Sequence, residues 1–179
     1  MFRKVDTRIW NDEKFCSLSD DGKLVFLMLL THHNMTQLGA MKASIAGLAE
    51  ELGWETKRFQ KAFTPAVLNG MVEHDPRACF IYLPNFIKYN KPESPNVVKA
   101  WVKASVLLPE CAMRTMVIET AKAFMEGLTE GYQQAFAEES RKVYPCPSPN
   151  QKQKQKQKEK NPDHAGINVG TSTPSGTAA

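Results

Sequence analysis

Between Thr56 and Thr64 the chain reads TKRFQKAFT, in which cations, an amide and hydroxyls are interleaved with aromatic and small apolar residues. On a helix advancing about 100° per residue, Ala62, Phe63 and Ala66 fall within ~60° of Phe59. Lys57, Lys61 and Thr64 fall near the opposite side, flanked by Arg58 and Gln60. Such a helix has an apolar back and a front of hydrogen-bond donors. That division suits a groove as wide as a helix: Lys57 and Lys61 can meet phosphates, Arg58 has the planar fork that matches a guanine edge, and Thr56, Gln60 and Thr64 offer further hydrogen bonds. Lys42, ahead of this helix, and Arg77, at the tip of an expected hairpin, belong to the same candidate surface. The alternative for the whole set is an ordinary solvated face, because exposed helices carry Lys and Arg anyway and Glu55, Glu73 and Asp75 dilute the local positive field.

Other chemistry finds no support in the spacing of residues. There is no phosphate-binding glycine loop, no dinucleotide fingerprint, no HExxH and no GxSxG elbow. Cys16, Cys79, Cys111 and Cys146 never approach a ligand spacing, and Cys79 sits in an apolar strand pattern that predicts a buried thiol. His32 and His33 follow an apolar helix and are expected to close its C-terminus; a metal role would need a third ligand that no motif supplies. Glu50 and Glu51 read as a solvated helix face. No catalytic residue, metal or cofactor is expected, and the chain is read as a non-enzyme.

The elements that must hold the basic helix are well punctuated. Ser19, Asp20 and Asp21 open a helix running through Leu24 to about His33, apolar on nearly every face and therefore expected to be central and buried. Residues 39–42 fit a brief strand. Ser44 caps a short helix, with Ile45, Leu48, Ala49 and Leu52 at helical spacing and Gly53 as its stop. The basic helix opens near Thr56 and ends at Asn69 and Gly70, with Pro65 expected to bend it or to restart it from Thr64. Trp54, between these helices, is read as a packing residue. Residues 71–74 and 79–83 then flank an Asp-Pro turn, which predicts a β-hairpin.

The order helix, strand, helix, turn, helix, hairpin is that of a winged helix-turn-helix, placed over residues 1–93. A helical extension over 94–143 follows, with Met113, Met116, Val117, Ala121, Phe124, Leu128, Tyr132 and Phe136 at helical spacing from Ala112 to Ser140. The fold class expected is mainly α with a small β-hairpin, an α+β arrangement. Periodicity leaves open whether the stripe packs on the first domain or on a second copy.

Length and charge fit this division. The chain has 179 residues, enough for one domain with appendages. Its net charge of +4 arises largely in residues 150–179, which hold 5 Lys and 2 acidic residues, whereas residues 101–149 hold 5 basic and 6 acidic ones. Residues 144–179, with their Gln/Lys alternation from Gln151 to Lys158, have too little apolar surface to offset the entropy of ordering and are expected to be a disordered tail, either a solvated linker or a sequence-blind phosphate tether. The first ten residues are too charged for a secretory signal, and the longest apolar run, Leu24 to Leu30, is far short of the ~20 residues of a membrane span. A cytoplasmic protein without a membrane partner is expected.

Several phrases together carry a resemblance: RKVDTRIWNDEKF near the start, GKLVFLMLLT, IAGLAEELG, LNGMVE and the closing IYLPNFIKYN. In order and spacing they resemble phage and prophage replication proteins, replisome organisers whose N-terminal winged helix is related to that of DnaD-type primosomal proteins. The resemblance covers roughly residues 1–110. It implies origin or single-strand DNA binding by the winged domain, in the cytoplasm of a bacterial host, and recruitment of a replicative helicase or its loader by the C-terminal part. The C-terminal primosomal domain of that family carries a Tyr, Ile and Trp motif near its end, and no Trp follows Trp101 here.

Two further readings stand beside this one. A transcriptional regulator on the same fold would need a firm dimer to read a palindrome. A protein-interaction or self-assembly module, forming a homo-oligomer without DNA, would use the stripe of residues 113–136 together with Ile9, Trp10 and Phe15.

Overall fold

A computed structural model describes residues 3–145. The expected tail thus lies outside the described residues, apart from Tyr144 and Pro145. A 3-10 turn (Thr7–Asn11) and a short helix α1 (Glu13–Cys16) lead into α2 (Asp20–Thr31). Strand β1 (Ala40–Lys42), helix α3 (Ile45–Glu51), helix α4 (Thr56–Leu68), strands β2 (Glu73–Asp75) and β3 (Phe80–Tyr82) and helix α5 (Phe86–Tyr89) follow. Helices α6 (Pro95–Ser105), α7 (Ala112–Glu126) and α8 (Glu130–Val143) complete the described chain.

The architecture is mainly helical with one small antiparallel sheet in the order β1-β3-β2. β3 is central: Phe80 faces Lys42 on one side and Asp75 on the other, and Tyr82 faces Ala40 and Glu73. All three of its residues are buried, as a strand paired along both edges in so small a sheet should be.

Local chemistry sets the helix ends. The Ser19 and Ser44 hydroxyls accept from the Gly22 and Gly47 amides and so satisfy one free donor at the start of α2 and of α3. Asp6 and Asp12 do the same for the 3-10 turn and for α1, two elements that sequence periodicity is too short to reveal. Two glycines set how closely segments approach. A Cβ on Gly22 would lie 3.2 Å from the Ala62 carbonyl oxygen, so glycine there brings α2 against α4. Gly39 has φ +75° and a Cβ on it would overlap Phe86, so both conformation and space require its missing side chain.

One apolar core runs through the described residues. Phe15, Val25, Leu29, Phe59, Phe63, Phe80 and Ile81 join Val98, Trp101, Val117, Ala121 and Met125 of the later helices in a single cluster. The chain through Pro145 accordingly forms one compact unit. The C-terminal stripe is therefore used in cis, with α8 packed chiefly on α6.

Three expectations are corrected. α2 is not fully enclosed: Gly22, Val25 and Leu29 are buried and Phe26, Leu27, Met28 and Leu30 pack partly buried against the core, but Leu24 is 46% exposed. α4 does not restart at Thr64: it is one helix through Pro65, which removes one amide, and the Thr64 hydroxyl bonds back to the Gln60 carbonyl instead of capping a new helix. Cys79 lies outside β3 and is only half-buried; its φ of 49° makes it the left-handed residue that closes the hairpin loop. Between residues 95 and 143 the chain forms three helices, α6, α7 and α8, with Gly127 ending α7 and Thr129 starting α8. Among the described residues no helix is long and apolar enough to cross a membrane.

Candidate nucleic-acid interface

Helix α4 is fixed by its apolar back. Phe59, Ala62, Phe63 and Ala66 are buried, and the Phe59 and Phe63 rings stack with centroids 5.9 Å apart. With α6, α7 and α8 in place, Thr56, Lys57, Gln60, Lys61 and Thr64 all remain exposed on the other side. The face described by the helical wheel is thus open among the described residues, not covered by α6, α7 or α8.

Lys42 and Arg77 gather at one end of the sheet. Lys42 and Asp75 flank Phe80 at the same level, and the Ala43 amide donates to the Cys79 carbonyl at 2.8 Å, tying the chain beyond β1 to the β2–β3 loop. Asp75 shapes that loop: one oxygen of its carboxylate accepts from the Arg77 amide at 2.9 Å and the Ala78 amide at 3.1 Å. Arg77 is exposed in it. Among the described residues, Lys42, Lys57, Lys61 and Arg77 have no carboxylate within 4.0 Å. Their charge is therefore not neutralised by contact.

Arg58 stands apart from this row. Its Nε and Nη2 donate to the two oxygens of Asp21 at 2.9 and 2.8 Å, and its guanidinium carbon sits 3.9 Å from the centre of the Trp54 ring. The hydrogen bonds from Arg58 hold the Asp21 carboxyl below its ordinary range, with nearby Lys61 acting in the same direction, and Asp21 in turn raises the pKa of Arg58. Sequence reading missed this connection because Asp21 is 37 positions away and already had a sufficient role as a helix-start carboxylate.

The structure also gives His32 and His33 the third group that the sequence did not. Glu51 joins them, with all ligand atoms within 4.8 Å of one another. Their geometry, however, is that of hydrogen bonding. His32 Nδ1 accepts from the Asn34 amide at 3.1 Å, which places the proton on Nε2, and Nε2 donates to Glu51 at 2.8 Å. The two imidazoles stack at 4.5 Å with planes 25° apart, and both ring nitrogens of His32 are taken up by these hydrogen bonds.

A cleft of about 400 Å³ lies beneath the N-terminal segment, lined by Phe15, Phe26, Leu30, Leu83 and Phe86. The cations at its rim are occupied: Lys4 pairs with Glu93, Arg8 with Asp6, and Lys14 donates to the Asn69 carbonyl. Asp6, Asn11, Asp12, Asn85 and Asn90 line it as well. Comparison with protein-family models, with curated proteins and with solved structures returns no match to this chain.

Proposed function

We propose that this protein binds DNA through α4 and the β2–β3 wing, and that it does so as a replisome organiser in phage DNA replication. One observation carries the DNA reading: a helix with a fully buried apolar back presents Lys57, Lys61 and Thr64 on an open front, within a helix-strand-helix-helix-hairpin order that sets such a helix forward. Lys42 and Arg77, both exposed and unpaired by carboxylates among the described residues, extend the donor surface to the wing. The replication setting, with a replicative helicase or its loader as partner, rests on the resemblance of the phrases in residues 1–110.

The test is salt-dependent binding of the full chain to labelled DNA followed by anisotropy. Affinity should fall linearly with the logarithm of salt concentration, as expected when bound phosphates release counterions. Absence of binding at low salt sinks the reading. A footprint at a replication origin separates the replisome role from that of a transcriptional regulator, which would protect a promoter.

A further inference from the structure

The side chain on α4 best shaped to recognise a base is held in place by two others. We infer that Arg58 reads a guanine in the major groove of duplex DNA, and that Asp21 and Trp54 are positioning residues that aim its guanidinium there. This inference rests on the DNA-binding reading of α4 and adds to it a preferred base.

The geometry leaves the reading edge open. A guanidinium carries five N–H donors in one plane. Asp21 accepts from Nε at 2.9 Å and from Nη2 at 2.8 Å, and so occupies one edge of that plane. Trp54 covers a face of it, with the guanidinium carbon 3.9 Å from the ring centre. The adjoining edge, formed by Nη1 and the second hydrogen of Nη2, has no partner among the described residues. Parallel N–H groups on that edge match the N7 and O6 acceptors of guanine, the pair an arginine addresses when it reads this base. With 53% of its side chain exposed, Arg58 is not shut away by its two supports.

Its position on the helix agrees. Arg58 is the third residue of α4, and the N-terminal part of a recognition helix is the part that reaches base edges. Lys57 and Lys61, point charges without a planar fork, suit the phosphates instead. Gln60 and Arg77 are exposed donors of the same surface, but among the described residues neither has a carboxylate and a ring that together fix its side-chain plane. Holding Arg58 in advance removes side-chain freedom that would otherwise be lost on binding. Because Asp21 and Arg58 carry opposite charges in contact, the pair supplies directed hydrogen bonds without adding to the attraction for phosphates.

The test uses the full chain in selection from a random-sequence duplex pool, followed by anisotropy on recovered duplexes and on altered copies of them. The recovered sites should share a G·C pair. Replacing its guanine with adenine should weaken binding on the order of tenfold. A 7-deazaguanine at that position, in which only the N7 acceptor is replaced by C–H, should weaken it too, and this arm needs no protein variant. Arg58→Lys, which keeps the charge and loses the fork, should abolish the preference for that base while leaving the salt slope as it was. Asp21→Asn should lower the preference without weakening binding to a guanine-free duplex, with melting curves establishing that both variants fold. A pool with no shared G·C pair, indifference to 7-deazaguanine, or a preference that survives intact in Arg58→Lys or in Asp21→Asn would each overturn the inference while leaving DNA binding in place. Failure to bind any duplex at low salt overturns the underlying reading and this inference with it.

Discussion

Phe63 of α4 meets the imidazole of His74 on β2 edge-on, with ring centroids 5.3 Å apart and planes at 88°. The contact joins the back of the basic helix directly to the wing. The two parts of the proposed DNA surface therefore share one packed support, and a change behind the helix is felt at the hairpin.

That shared support sets the first prediction. Phe63 is 4% exposed and also stacks on Phe59, so Phe63→Ala removes a large buried ring and opens a cavity that the helix and sheet cannot both close. The expected loss is about 3–5 kcal/mol. Denaturant unfolding of the full chain measures it. Phe63→Leu should lose less, and an alanine variant with an unshifted midpoint would show that the ring is not part of the core.

A second prediction concerns the open front. If Lys57, Lys61 and Arg77 each neutralise one phosphate, replacing all three with alanine should lower the slope of log K against log salt by roughly 2–3 units, at ~0.9 per duplex phosphate. None of the three supports the core, so the variant should melt as the parent protein does. An unchanged slope would assign the binding to some other surface.

The basic helix was legible because its pattern is local. Phe59, Phe63, Lys57 and Lys61 are placed by a 3.6-residue period, and Ser44, Gly53 and Gly70 mark the ends of elements by their own backbone and side-chain chemistry. What escaped sequence reading depends on contacts between distant positions. Nothing in the spacing of Asp21, Trp54 and Arg58 announces that the first two claim the third, and nothing near His32 points to Glu51. Cys79 misled for a related reason: it looks like the first residue of an apolar strand, yet the register of Asp75 with Phe80 leaves it to close the loop.

His74 provides a pH dependence. Partial burial holds its pKa below the ordinary 6.5, against a smaller opposing pull from the Asp75 carboxylate. The unfolded chain therefore takes up this proton before the folded one does as the pH falls. The stabilising contribution of the neutral ring is intact above 6.5 and is lost as the pH falls through 6.5 toward the lower folded value. His74→Phe should flatten the stability profile across that window relative to the parent protein. Parallel profiles for the two proteins, measured by denaturant unfolding at each pH, would remove His74 as the cause.

The His32–Glu51 pair separates a hydrogen-bonding role from metal binding. The His32 side chain is only 2% exposed, and Nδ1 is already occupied by the Asn34 amide, so Nε2 has Glu51 as its buried-side acceptor. Glu51→Ala leaves that N–H without a partner where water has little access, at an expected cost of about 1–3 kcal/mol. Glu51→Gln retains an acceptor oxygen and should cost less. A metal site would behave differently on two counts. Zinc added to the parent protein would raise its melting temperature by mass action, and His33→Ala would abolish the rise. Because both ring nitrogens of His32 are engaged in hydrogen bonds, no zinc-dependent shift is expected, while Glu51→Ala should destabilise the protein equally with and without the ion. A zinc shift lost on removal of His33 would require the two imidazoles to leave their stack and would overturn this assignment.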